Sequence, residues 1–103
     1  SNNVLQFADL VLDEADKTAT RSGVKIDLTA TEYRLLKYLM LNKKRLLSRM
    51  DLLENVWGVE FNMNTKVVDV YVNYLRKKID KDFDEKLIHT VIGMGYIMKE
   101  ESS

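Results

Sequence analysis

Apolar and polar positions follow two periods along this chain, and the change of period divides it. From residue 4 to residue 28 the apolar side chains come in short runs or at every second position. Residues 4–7 and 10–12 are such runs, and Val24-Lys25-Ile26-Asp27-Leu28 alternates as a half-buried strand does. Residues 13–17 form one turn, and Ser22-Gly23 forms another between 18–21 and 24–28, its glycine permitting positive φ. The pattern predicts an antiparallel sheet of three or four strands. From Thr29 the spacing becomes helical. Leu35, Leu36, Leu39 and Met40 share a stripe with Tyr33 beside it, ending near Asn42. Thr29, three residues before Glu32, opens this helix as a capping box. Leu46 and Leu47 return the chain to the core, and Ser48 with Asp51 is a second capping box. It starts a helix to about Val56 that turns Leu52, Leu53, Val56 and Trp57 inward. A loop over 58–64 exposes Phe61 and Met63, either tucked back into the core or left as a small apolar surface. Residues 87–92 and 96–98 flank Gly93-Met94-Gly95 as a closing hairpin, and residues 99–103 read as a fraying tail.

The most two-sided segment is the helix predicted over 64–81. Val68, Val72, Leu75 and Ile79 recur at spacings of four, three and four, which is a core stripe. Lys66, Val70, Asn73 and Lys77 lie opposite, with Tyr74 beside them and Asp69 and Arg76 nearer the core edge. An amide, methyl groups, a ring and cations are what a reader of the major groove requires. On this helix alone a second reading is equally good: a solvated face whose Arg76, Lys77 and Lys78 follow the helix dipole.

The 103 residues suffice for one domain with its own core. There is no cysteine, hence no disulfide framework or thiolate chemistry, which fits a reducing compartment. No apolar run is long enough to span a bilayer, and no signal peptide opens the chain; Ser1-Asn2 could be an expression scar. The net charge is zero, which by itself argues against nucleic acid. The charges are nevertheless segregated. Residues 9–16 hold four acids and no cation, residues 43–49 four cations and no acid, and residues 64–81 five cations against two acids. Arg49 is an unusual charge for the first turn of a helix, explained either by a bound anion such as phosphate or by solvation.

Catalytic groups are missing. His89 is the single histidine, so neither a triad nor a His/Cys metal cluster can be assembled, and it reads as a structural hydrogen-bonder. Gly93-Met94-Gly95 is too short for a dinucleotide fingerprint. No enzyme, metal site or cofactor is expected.

The order sheet, three helices, hairpin is that of a winged helix-turn-helix, an α+β fold. Four stretches narrow it further: Leu28-Thr29-Ala30-Thr31-Glu32-Tyr33-Arg34-Leu35-Leu36; Leu47-Ser48-Arg49 with Leu52-Leu53 and Val56-Trp57-Gly58; Val68-Asp69-Val70-Tyr71-Val72 with Leu75-Arg76-Lys77-Lys78-Ile79; and Ile88-His89-Thr90-Val91-Ile92-Gly93-Met94-Gly95-Tyr96. In this order and spacing they resemble the C-terminal effector domain of OmpR/PhoB-type response regulators, over residues 4–99 with tails at 1–3 and 100–103. Residues 80–90, with the turn that follows, most resemble the metal-tolerance branch of that family.

The resemblance implies a cytoplasmic, sequence-specific transcription regulator, the output domain of a two-component phosphorelay. A receiver domain would precede Val4, a cognate histidine kinase would phosphorylate it, and no membrane would be involved. Helix 64–81 would enter the major groove and the wing 87–98 would lie at the adjacent minor groove. The DNA would carry tandem direct repeats, and loop 58–64 (Val59, Glu60, Phe61, Asn62 and Met63) would touch RNA polymerase. Lys66, Val70, Asn73 and Tyr74 would face bases. Arg49, Arg76, Lys77 and Thr90 would hold phosphates, which position rather than specify. Ile92, Gly93, Met94 and Gly95 would form the wing tip. Trp57 and Tyr96 would pack rather than bind. Two departures stand out. Ile92 occupies the usual place of a wing arginine, and Asn73-Tyr74 stands where the family often has two arginines. Asn73 suits a bidentate contact with adenine, so an A/T-leaning site is expected. The competing reading is a winged-helix protein-interaction module without DNA readout, favoured by zero net charge, Ile92 and the missing second arginine and opposed by Arg49, Lys66, Arg76 and Lys77.

Overall fold

Four short strands open the fold as an antiparallel meander, β1 (Val4–Phe7), β2 (Leu10–Asp13), β3 (Thr18–Arg21) and β4 (Val24–Ile26), in the order β1-β2-β3-β4. The architecture is that of a computed structural model describing residues 3–58 and 64–101. Register explains which face is inward. Leu12 pairs Ala19 and Ala19 pairs Ile26, while Phe7 pairs Leu10 and Leu10 pairs Arg21. All six of these side chains are buried, so the rows alternate as a half-buried sheet requires. Ser22 and Gly23 both take positive φ, 51° and 79°, as a tight hairpin turn of right-handed twist demands. β4 ends at Ile26, two residues earlier than its alternation predicts.

Helix α1 (Ala30–Leu41) begins at the predicted capping box. Thr29 accepts from the Glu32 amide at 3.2 Å and Glu32 accepts from the Thr29 amide at 2.9 Å. Its predicted stripe of Tyr33, Leu35, Leu36, Leu39 and Met40 is buried. Ser48 and Asp51 form the second box in the same way, at 3.0 and 3.1 Å, and start α2 (Arg49–Leu52).

The helix opened by Ser48 departs from the course its spacing predicts. The helix does not continue as α to Val56. It widens into a π-helical turn over Leu53–Trp57, closed by the Gly58 amide donating to the Leu53 carbonyl at 3.1 Å. Apolar spacing cannot distinguish these geometries over five residues, because both leave Leu53 and Val56 buried. Leu46 is exposed and only Leu47 returns to the core.

Helix α3 (Lys66–Ile79) is slightly shorter than the predicted 64–81. Asn64 lies outside it, and its side chain accepts from the Lys66 amide at 3.0 Å. At the other end the Asp80 and Lys81 amides both donate to the Arg76 carbonyl and close the last turn. Val68, Val72, Leu75 and Ile79 are wholly buried, as their spacing predicts.

The hairpin of β5 (Ile88–Val91) and β6 (Gly95–Met98) is fastened to the segment before α2. Leu47 and Tyr96 exchange two backbone hydrogen bonds, each 2.9 Å. Gly95 permits this approach: a Cβ there would sit 2.0 Å from the Leu47 carbonyl oxygen, at φ 140°. The tail expected to fray is bonded through Glu101, whose amide donates to Glu85 at 3.0 Å and whose carboxylate accepts from the Lys86 amide at 2.8 Å.

One buried cation joins sheet, helix and wing. Arg21, 1% exposed, donates to Asp9 at 2.9 Å, to Asp80 at 3.0 Å, and to the Ile79 and Glu85 carbonyls, with the Phe83 ring 4.7 Å away. Asp80 also accepts the Leu87 and Ile88 amides at 3.0 Å each. The C-terminus of α3 is thereby locked to β3 and to the start of the wing.

Candidate nucleic-acid interface

Helix α3 presents a solvent face along its whole length. Lys66, Val70, Asn73, Tyr74 and Lys77 are exposed, Val70 at 44% and Tyr74 at 47%. These are large fractions for apolar and aromatic groups, and the buried stripe on the opposite side enforces them. Tyr74 is steadied by an edge-on contact with Tyr71 (centroids 5.5 Å apart), which meets Trp57 in the same way at 5.4 Å.

The two carboxylates of this segment are turned away from that face. Asp80 is buried against Arg21. Asp69 accepts from Arg49 Nε at 2.9 Å and from the Tyr96 hydroxyl at 2.5 Å. Burial, reinforced by the Asp69 charge, pushes the Tyr96 phenol up, so it stays a donor at neutral pH. The same carboxylate raises the guanidinium of Arg49. Arg49's charge is thus met by Asp69, which explains its place in the first turn of α2.

On the flank, Lys78 donates to Glu32 at 2.6 Å and to the Asp27 carbonyl at 2.8 Å. Burial opposes ionisation of Glu32, but hydrogen bonds from Lys78 and Thr29 outweigh it and hold the carboxyl below its ordinary pKa. What remains outward is positive. Among the described residues no carboxylate lies within ion-pairing distance of Lys66, Arg76, Lys77 or Lys81. A chain of zero net charge therefore carries a basic helix face.

Arg76 ties that face to the wing. Its Nη1 donates to Thr90 Oγ1 at 2.8 Å, its Nη2 to Asn73 Oδ1 at 2.9 Å, and its guanidinium lies 5.6 Å from the Tyr96 ring centroid. A groove of about 670 Å³ runs beside this cluster between α3 and β5, lined by Asn73, Arg76, Lys77, Lys81, Lys86 and Thr90. A second, of about 460 Å³, separates the wing from the start of α2, with Ser48, Arg49, Met50, Thr65, Ile92 and Met94 along it. At the wing tip Ile92 is 92% exposed and Met94 is exposed, with Gly93 at φ 77° between them.

The structure thus joins Asn73, Arg76 and Thr90 in one cluster and sets Lys66, Val70, Tyr74 and Lys77 along the same helix. Arg49 sits apart, facing the wing groove. The proposed polymerase loop of Val59, Glu60, Phe61, Asn62 and Met63 lies outside the described residues. Sequence reasoning missed the roles of Tyr96 and Asp69, whose partners stand 27 and 20 positions away. It also missed Lys86, which lines the basic groove. The Asn73–Arg76 tie was within reach, since residues three apart on a helix are neighbours. His89 bonds the Lys99 carbonyl at 2.9 Å, as a structural histidine should. Among the described residues no group of His, Asp and Glu is placed to hold a metal ion, and no helix is long and apolar enough to cross a membrane.

A family model described as "Transcriptional regulatory protein, C terminal" matches residues 23–98. The chain is 46% identical over 99 residues to the transcriptional regulatory protein TrcR of Mycobacterium tuberculosis, a match covering 96% of this chain and 38% of TrcR. It therefore spans well under half the length of that relative. The response regulator DrrB of Thermotoga maritima, an OmpR/PhoB homologue, superposes with a TM-score of 0.82 at 31% identity, covering 94% of this chain and 44% of DrrB. The DNA-binding domain of Klebsiella pneumoniae RstA, solved in complex with the RstA box, gives a TM-score of 0.82 at 27% identity, covering 94% of this chain and 97% of that domain.

Proposed function

The chain belongs to the transcriptional regulatory protein C-terminal family, as a winged-helix DNA-binding output domain of the response-regulator kind, and from that premise we propose how it binds. Helix α3 enters the major groove and the wing over 87–98 lies at the adjacent minor groove. Lys66, Val70, Asn73 and Tyr74 face base edges. Lys77, Arg49 and Thr90 position the domain on phosphates, with Arg76 beside them. The observation that carries this reading is the disposal of charge on α3. Asp69 and Asp80 are both consumed by internal partners, so the exposed face offers the duplex donors and cations without competing carboxylates.

The whole protein acts in the cytoplasm by binding, with no reaction or cofactor of its own. A receiver domain and a cognate histidine kinase complete it, which the response-regulator character of its relatives supports. Two copies sit on tandem direct repeats, and residues 58–64 meet RNA polymerase.

The exposed Ile92 and Met94, with no cation at the wing tip, favour a second reading, a module that binds protein instead. Selection of the domain on a random-sequence duplex library at low and moderate salt separates the two. Enrichment of one repeated half-site, with affinity falling steeply as salt rises, is the expected result. Weak, salt-independent binding without enrichment contradicts DNA readout.

A further inference from the structure

The tie between Arg76 and Asn73 bears on what base the helix selects. A guanidinium has donors and no acceptor, so the amide atom facing it at 2.9 Å is the Asn73 oxygen. One lone pair of the oxygen is thereby engaged by a charged donor, and the NH₂ on the other branch of the same planar amide is the wholly free group of the exposed side chain. The tie is not a loose surface contact. Arg76 is held at its other end by Thr90 at 2.8 Å, and the Tyr96 ring lies 5.6 Å from its guanidinium. Tyr96 is in turn fixed by its hydroxyl on Asp69 and its backbone bonds to Leu47.

Adenine is read by a side-chain amide that both donates to N7 and accepts from N6, and the second half of that pair must share the oxygen with Arg76, whose guanidinium already takes one lone pair and fixes the orientation of the amide. A donor matches an acceptor edge best, which guanine presents at O6 and N7 and thymine at O4, whereas adenine offers it N7 alone beside the competing N6 donor. We propose that Arg76 sets Asn73 chiefly as a hydrogen-bond donor, so that the base facing Asn73 is read as guanine or thymine in preference to adenine. Arg76 is then a positioning residue. It acts through Asn73, and through Thr90 it couples that choice to the wing. This inference rests on α3 being the base-reading helix, and it reverses the adenine preference that the residue type alone suggests.

The test is duplex selection with four proteins: the wild type, Asn73→Ala, Arg76→Met and Thr90→Val. The position at which Asn73→Ala loses its preference identifies the base facing Asn73. The wild type is expected to favour guanine or thymine there by about fivefold or more. Arg76→Met frees the amide and moves that one position toward adenine while the others keep their preferences. Thr90→Val, which removes one anchor and keeps every charge, moves the same position the same way by less, and it stands in if Arg76→Met melts too early to assay. A wild-type preference for adenine at that position overturns the inference. So does an Arg76→Met protein that binds more weakly at all sequences with the position unchanged, or an Asn73→Ala protein whose preferences match the wild type. Failure of the wild type to enrich any sequence overturns the α3 reading itself, and this inference with it.

Discussion

Arg21 and Asp80, 59 positions apart, form an ion pair of 3.0 Å in which both side chains are almost wholly buried. Neither charge reaches water, and each is satisfied by further hydrogen bonds. Removing one partner strands the other. Arg21→Met is therefore expected to cost about 3–5 kcal/mol of folding stability. The measure is a fall in the urea midpoint with an unchanged slope. A loss below about 1 kcal/mol, the value of an ordinary surface pair, would show that the pair is not the lock between sheet, α3 and wing.

Local features of the fold are legible in the sequence because both partners lie within a few residues. Thr29 with Glu32 and Ser48 with Asp51 start their helices where the spacing says, and the stripe from Val68 to Ile79 lands in the core. Arg21 was not legible in this way. It occupies an inward position of β3 by simple alternation, but its partners come from Asp9, Asp80 and Glu85, which topology alone brings together. The same holds for the clamp of Arg49 and Tyr96 on Asp69. The π-helical turn over Leu53–Trp57 escaped because its apolar residues are buried under either winding. Residues 80–90 are used here as scaffold: the Lys86 ammonium donates to the Asp80 carbonyl, and the Leu87 amide donates to the Asp80 carboxylate.

The two glycines of the wing separate conformational strain from collision. At Gly93, with φ 77° and open space around it, an added Cβ meets nothing, so Gly93→Ala should cost only about 1–2 kcal/mol, the left-handed backbone penalty. At Gly95 the added Cβ would lie 2.0 Å from the Leu47 carbonyl oxygen. Gly95→Ala should break the bridge between Leu47 and Tyr96 and cost several times more. Thermal melts of the two variants, with amide exchange at Leu47 and Tyr96, check the ordering; equal losses would contradict it.

Acid should act through Glu32. Its folded pKa lies below its unfolded one, because Lys78 and Thr29 outweigh the burial that opposes ionisation. The stability it contributes is therefore fully present above the unfolded carboxylate pKa and is lost as pH falls through the lower folded value. Glu32→Gln should be less stable than the wild type at neutral pH, with the difference shrinking below the ordinary carboxylate pKa. A difference that stays constant down to pH 2 would rule this linkage out.

Lys77 is exposed on α3, with no carboxylate of a described residue within ion-pairing distance. Assigned to phosphate, it supplies affinity without sequence. Lys77→Ala should weaken binding to every duplex by a similar factor and reduce the slope of log affinity against log salt by about one. A change in base preference would instead move Lys77 among the base-reading residues.

The central claim is that the exposed face of α3 reads bases while the cations around it hold phosphates. The most direct test combines Lys66→Ala, Val70→Ala and Asn73→Ala in one protein and compares its affinity for the selected duplex with that for a scrambled one across a salt series. The account predicts that the ratio of the two affinities collapses toward one while the salt slope on scrambled DNA falls by no more than about one, the share of a single cation. A ratio that survives the triple substitution would place sequence recognition elsewhere on the molecule and contradict it.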